Sequence, residues 1–340
     1  MTAPSTRDRD LPDDLIRLLA HRVPQQFVTS ALTDDIATIS ARLGLPRPTM
    51  LAGNLIVGDL RTAAVLLSAH LDEASFSVTG VHQDRITLAA CHRLPPQLTQ
   101  SPITILGYRE GAITVFGDAD LACDEHGLHI APMRGVLLGD RAVYSRRTTR
   151  VGHRFSSAAI DDRAGAVIAL SAAARLHHAG VPTAVVLSDG EQNTPDGYFS
   201  RTFPHVLHQL HPRARIIFVD GIFHDDLRRG GFQVPPPGAL IVPHSGDGTG
   251  YSVPPAVFAW LRDDAVPRAR AEGIDVQITS ARHSRGDDWG MVTNPTSGAD
   301  RTAIFVSFGG FGDTPADRII DLRCLQQCVD FITYCAPLLP

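Results

Sequence analysis

The sequence contains no lysine: all 31 of its basic residues are arginine. That absence excludes Schiff-base and pyridoxal-phosphate chemistry and a Walker-type phosphate loop, each of which needs a lysine amine. A GC-rich genome accounts for such a bias as well as function does. Cysteine is scarce too, at five residues with no CxxC pair, which argues against a disulfide framework and against a thiolate metal site. A cytoplasmic location is the default expectation. Cys324, Cys328 and Cys335 recur at helical spacing with Leu325, Val329 and Ile332, where a thiol is a small apolar filler. No apolar run approaches the ~20 residues of a membrane-spanning helix. The N-terminus "MTAPSTRDRDLPDDLIRLL" mixes both charge signs before any apolar run, unlike a secretory signal. A net charge of -5, with no basic cluster beyond pairs such as Arg146-Arg147, offers no electrostatic footprint for nucleic acid.

What is present is an ordinary globular composition over 340 residues, enough at roughly 150 residues per domain for two domains. "DDLIRLLAHRV" and "TSALTDDIATISARLGL" have helical apolar spacing, the second after a Ser/Thr cap. "GNLIVGD" and "TAAVLLSAHLDE" read as strands, the latter apolar on both faces as in a central sheet strand. From about Ser75 to Tyr144 short β-like runs ("SFSVTGV", "RITLAAC", "ITILGY", "AITVFG", "GLHIAPM", "RAVYS") are punctuated by Gly, Pro and Asp, the texture of an inserted barrel or sandwich. Strands and helices then alternate: "TAVVLSD", helical "FPHVLHQLHP", "ARIIFVDG", helical "PAVFAWLRDDAVPRARAEG", "DVQITSA", "TAIFVSF" and a closing helix "RIIDLRCLQQCVDFITYC". This predicts an α/β fold, a doubly wound sheet with helices on both faces, whose site lies beyond the carboxyl ends of the strands. "HDDLRRGG" reads as an exposed charged loop.

Four segments read as strand ends carrying acid. "LLSAHLD" presents His70 and Asp72, "AAIDDR" Asp161 and Asp162, "VVLSDGE" Asp189 and Glu191, and "IIFVD" Asp220. Singly, a strand-end Asp is as readily a turn or helix cap. Together on one rim, carboxylates and an imidazole repel or desolvate one another unless cations neutralise them, so a metal is the expectation. Histidine with carboxylates suits zinc, or manganese or cobalt. The His70-x-Asp72 spacing lets the aspartate hold the ring N–H.

On these motifs the chain resembles the M42 metallo-aminopeptidases, the tetrahedral or glutamyl aminopeptidase group. The likeness runs nearly end to end: "GNLIVG", "AHLDE", "LLGDRAVY", "AIDDRAG", "FVDG", "RGDDWG" where the family has a Gly-Thr-Asp segment, and "TPADRIIDL" before the last helix. The resemblance implies a zinc-peptidase-like mixed α/β sheet over residues 1–73 and 156–340. Into this a β-barrel, PDZ-like dimerisation domain is inserted over 74–155, and the chain is expected to form homo-oligomers. It implies His70 and Asp220 as ligands of one metal, Asp161 as the carboxylate bridging two, Glu191 on the second metal, and Asp72 as the orienting group.

Two departures stand out. Where the family has two consecutive glutamates, the first being the general base, this chain has Gly190. General-base catalysis is worth roughly 10²–10⁴-fold. Asp189 is the nearest substitute, although strand alternation points it away; His244 and His283, in loops bordering the cleft, are others. The family's histidine ligand before a Ser-Pro pair becomes Asp313 before Thr314-Pro315, across a one-residue gap. The resulting expectations are a metal-dependent hydrolase of a peptide or small amide; a one-zinc acyl-transfer or cyclising enzyme on the same scaffold; or a catalytically silent binding or assembly subunit.

Overall fold

The computed structural model describes residues 11–24, 27–91, 101–125, 127–145, 148–192, 203–245, 251–280, 301–312 and 316–340, with backbone alone for 28–30 and 224–225. Asp313, His283 and the "RGDDWG" segment lie outside the described residues.

Among the described residues, four parallel strands form the middle of an eleven-stranded sheet, in the order Thr183–Ser188, Val65–His70, Arg215–Phe223 and Ala303–Phe311. Every residue of Val65–His70 is buried, as the uninterrupted apolar run requires of a strand covered on both faces. Leu66 and Leu67 are fully buried, each contributing roughly 1.5–3 kcal/mol. The antiparallel strands Asn54–Val57 and Thr49–Leu51 extend one side. On the other side stand Ile319–Asp321, Arg154–Ser156 and Thr149–Val151. The first residues of the predicted closing helix are therefore a strand, held by pairing to Gly310, Phe311 and Phe155; the helix itself runs Arg323–Cys335. Its three cysteines are buried, which pushes their thiols upward in pKa and fits the apolar-filler reading.

The helix Ile160–His178, alanine-rich and buried almost all round, lies on the strands Val65–His70, Thr183–Ser188 and Arg215–Phe223 and packs against Leu11–Leu19 and Arg323–Cys335. The second N-terminal helix, Val28–Leu43, starts before the expected Ser/Thr cap and has no side-chain cap. It ends at Gly44, whose φ of 75° suits glycine and whose N–H bonds Ala41 O. "HDDLRRGG" forms a short helix, His224–Arg229, and the strand Ala239–Val242, unread in the sequence, branches from Ala303–Phe311. In "PAVFAWLRDDAVPRARAEG" a π-turn over Leu261–Ala265 joins the helices Pro255–Trp260 and Val266–Ala271. This is the adjustment by which a helix accommodates Pro267, which lacks an N–H and crowds the carbonyl four residues back. Among the described residues no helix is long and apolar enough to cross a membrane.

The runs between Ser75 and Tyr144 pair antiparallel into a separate seven-stranded sheet, ordered Ala112–Asp120, Pro102–Arg109, Arg141–Tyr144, Ser75–Val81, Ile86–Ala90, Gly127–Ile130 and Ala122–Asp124. Among the described residues no pairing joins the two end strands. This sheet buries its own core, with Phe76 edge-on to Tyr144 beside Ile103, Ile105 and Ile130. The chain leaves the large sheet after His70 and returns to it with the hairpin Thr149–Ser156.

Candidate metal centre

The carboxyl ends of the parallel strands set the site. Register places Ser188 beside His70, and Asp220 is two strands from Ser188 on the same edge. Around His70 Nε2 stand Asp161 Oδ1 at 3.3 Å, Glu191 Oε2 at 3.3 Å and Asp220 Oδ1 at 3.9 Å. The ligating atoms of His70, Glu191 and Asp220 lie within 4.8 Å of one another, and all three residues are buried. Three of the predicted ligands thus form one cluster, and the fourth, Asp161, meets the His70 ring.

Asp161 and Asp162 do not end a strand, contrary to the sequence expectation. They open the helix Ile160–His178 in non-helical conformation, because Asp162 Oδ1 accepts the Gly165 N–H at 3.0 Å as a first-turn capping group while its Oδ2 accepts the His70 N–H at 3.2 Å. Gly165 is required: a Cβ there would collide with the Asp162 carboxylate. The strand Thr183–Ser188 likewise stops before Asp189, so alternation does not fix where residues 189–191 point. Instead Asp72 gathers that turn, its two oxygens accepting the N–H groups of Glu191 (3.2 Å) and Gln192 (2.9 Å). His70 Nδ1 lies closer to the Asp72 backbone oxygen, 3.0 Å, than to its carboxylate, 3.5 Å. Asp189 is buried with its N–H on Asn54 Oδ1. Among the described residues the acids within 4 Å of the His70 ring are Asp72, Asp161, Glu191 and Asp220, and Asp189 is not one of them. His244 is half-buried in an isolated bridge with Ser252.

Two neighbours escaped the sequence reading. The Gln192 side chain donates to Glu191 Oε2 at 2.9 Å and lies 3.5 Å from His70 Nε2. Arg318 Nη1 lies 3.2 Å from Asp161 Oδ2. Gln192 adjoins Glu191 in sequence; nothing local marks Arg318.

Burial opposes charge on His70, Asp161, Asp162, Glu191 and Asp220. It raises the Glu191 carboxyl well above the usual range, with repulsion from Asp220, Asp72 and Asp161 adding to it, and the Asp220 carboxyl likewise, with Asp161 adding to it. It raises Asp162 likewise, with Asp220 adding to it. For Asp161 burial is outweighed by Arg318 and His70, which bring the carboxyl down to about 2. For His70 burial favours the neutral ring, yet Glu191, Asp161, Asp72 and Asp220 together hold its pKa well above the ordinary value. A carboxyl or imidazole whose folded pKa is raised contributes stability present below its unfolded pKa, about 4 or 6.5, and lost as pH rises through the folded value. Chelated protein should therefore lose melting temperature as pH rises from about 5 towards 8. Asp161 works the other way, its contribution lost only as pH falls towards 2. Metal ligation needs the same groups deprotonated, so added zinc should raise the melting temperature more at pH 8 than at pH 5. A zinc increment that shrinks with pH would contradict this arrangement.

One imidazole nitrogen and three carboxylates, of which Glu191 and Asp220 are buried and Asp161 is half-buried, converge with no thiolate beside them among the described residues, a donor set that fits zinc, manganese or cobalt. No protein-family model matches the chain, and no curated protein matches it in sequence. Solved structures do match. An aminopeptidase from the archaeon Desulfurococcus kamchatkensis superposes with a TM-score of 0.76 at 17% identity, over 97% of this chain and 95% of that one. A TET aminopeptidase from a marine-sediment thaumarchaeote gives 0.76 at 13% identity over 98% and 97%. The Pyrococcus horikoshii TET1 peptidase, which can assemble into a tetrahedron or a large octahedral shell, gives 0.71 at 16% identity over 96% and 99%. The chain has the TET aminopeptidase fold. That is the fold the resemblance to M42 implies, and the converging residues lie beyond the carboxyl ends of its parallel strands.

Proposed function

We propose that the chain is a metal-dependent hydrolase of a peptide or small amide, of the aminopeptidase kind, with His70, Asp161, Glu191 and Asp220 holding zinc, or manganese or cobalt in its place. The observation that carries this is the meeting of Asp161, Glu191 and Asp220, from distant segments, within 3.9 Å of His70 Nε2. Such an ion supplies Lewis acidity and a nucleophile at neutral pH. The protein's own groups do the positioning. Asp72 fixes the turn that carries Glu191, Gln192 fixes one Glu191 oxygen, and Asp162 fixes the backbone of His70.

Gly190 has φ 96°, a conformation that L side chains rarely adopt, so a glutamate cannot simply be restored there. In our reading the proton-accepting role falls to Asp189, the buried carboxylate one residue earlier. Asp189→Asn should then lower kcat by roughly 10²–10⁴-fold while metal uptake is unchanged; kcat within about threefold of the parent would remove Asp189 from the reaction. The missing side chain at 190 also favours a second reading, acyl transfer or cyclisation on an amine-bearing substrate. Turnover of such a substrate with no hydrolysis of aminoacyl amides would select it. Metal-dependent release of an amino acid from an aminoacyl amide, stopped by chelation, tests the first.

We also propose that residues 74–155 form a unit distinct from 1–73 and 156–340, and that it serves dimerisation within a homo-oligomer. Its own core and the exposed Tyr108, Val115, Leu137 and Leu138 support this.

A further inference from the structure

We infer that the centre takes a single divalent ion and that Arg318 is a fixed cation standing where a dinuclear centre would hold its second. This rests on the metal-dependent reading above. A bridging Asp161 would offer one oxygen to each of two ions. Here its oxygens are already divided: Oδ1 faces His70 Nε2 at 3.3 Å, and Oδ2 faces Arg318 Nη1 at 3.2 Å. An ion bound to Oδ2 at the ~2.0–2.2 Å of a zinc–carboxylate bond would stand at most about 5.4 Å from that guanidinium nitrogen. Arginine does not surrender its proton to relieve the repulsion. Its side chain is only 17% exposed, so solvent screens little of it.

The guanidinium is built into this place. Its carbon lies 3.7 Å from the centroid of the Phe223 ring, a cation–π contact. Phe223 in turn lies across Gly221 and Gly310, where any Cβ would collide with the ring. The Arg318 carbonyl accepts the Ser157 N–H at 3.1 Å, and the strand that follows pairs with Gly310 and Phe311. The ligand positions agree independently. Glu191, which a two-metal mapping assigns to the second ion, shares one cluster with His70 and Asp220. Two ions ~3.5–4 Å apart would each need a ligand set of their own, and among the described residues this is the one such group.

The test strips the full-length protein with chelator, titrates it with Co²⁺, and counts bound metal per chain by elemental analysis while following the visible spectrum. The unaltered chain should saturate at one equivalent. Arg318→Ala, and Arg318→Gln, which removes the charge but keeps a planar amide, should each take up a second, doubling the bound cobalt with a change in the spectrum; circular dichroism checks that each is folded. Two equivalents on the unaltered chain, or one on both folded variants, overturns the role of Arg318 and leaves the metal-dependent reading standing. No metal on the unaltered chain defeats that reading itself. Should neither variant fold, the stoichiometry of the unaltered chain still decides.

Discussion

His70→Ala is expected to abolish tight metal binding and to lower hydrolysis of an aminoacyl amide by at least about 10³-fold, with the fold retained. The ring nitrogen is the point on which three carboxylates converge, and metal assistance contributes several kcal/mol of charge stabilisation, each 1.4 kcal/mol being tenfold in rate. The substitution leaves the strand pairing with Ser188 and the His70 N–H to Asp162 intact, since both use the backbone of residue 70. Circular dichroism, metal content and steady-state kinetics measure the three parts. Activity within tenfold of the parent, with metal still bound, would remove the imidazole from the chemistry.

Arg163→Met should destabilise the chain by about 3–5 kcal/mol, the cost of breaking a buried ion pair by removing one partner. Arg163 is fully buried. It donates to Leu71 O at 2.7 Å, to Leu18 O at 2.6 Å and to Glu73 Oε1 at 3.4 Å, an oxygen that also accepts the Val23 N–H at 2.5 Å. Leu71 separates His70 from Asp72, so this guanidinium ties the site's strand end to the first helix. The double variant Arg163→Met, Glu73→Gln should lose less than the sum of the single losses, because it no longer buries an uncompensated charge. Urea unfolding measures both. A loss under about 1 kcal/mol would show that the pair is dispensable.

The parallel strands were legible because a strand buried on both faces reads as an unbroken apolar run, as "AVLLSAH" and "RIIFV" do. The converging residues His70, Glu191 and Asp220 were legible because each follows such a run. Asp161 meets them from a place its sequence does not suggest. "AAIDDRAGAVIAL" is apolar enough for a strand end, and only the Asp162–Gly165 bond reveals a helix start. The strand Ala239–Val242 and the helix His224–Arg229 are too short for periodicity to arbitrate. Arg318 was illegible because its place beside Asp161 depends on the register of Ile319–Asp321 against Gly310–Phe311, a tertiary fact with no local signature. The turn at 189–191 escaped because alternation was extended past the residue where the ladder stops.

The most direct test is anomalous diffraction at the zinc edge from crystals of the zinc-loaded protein. A peak is expected at bonding distance from His70 Nε2, between the Glu191 and Asp220 carboxylates. Zinc bound only elsewhere, with the His70 ring and these acids left without it, would rule out a metal centre at this strand edge.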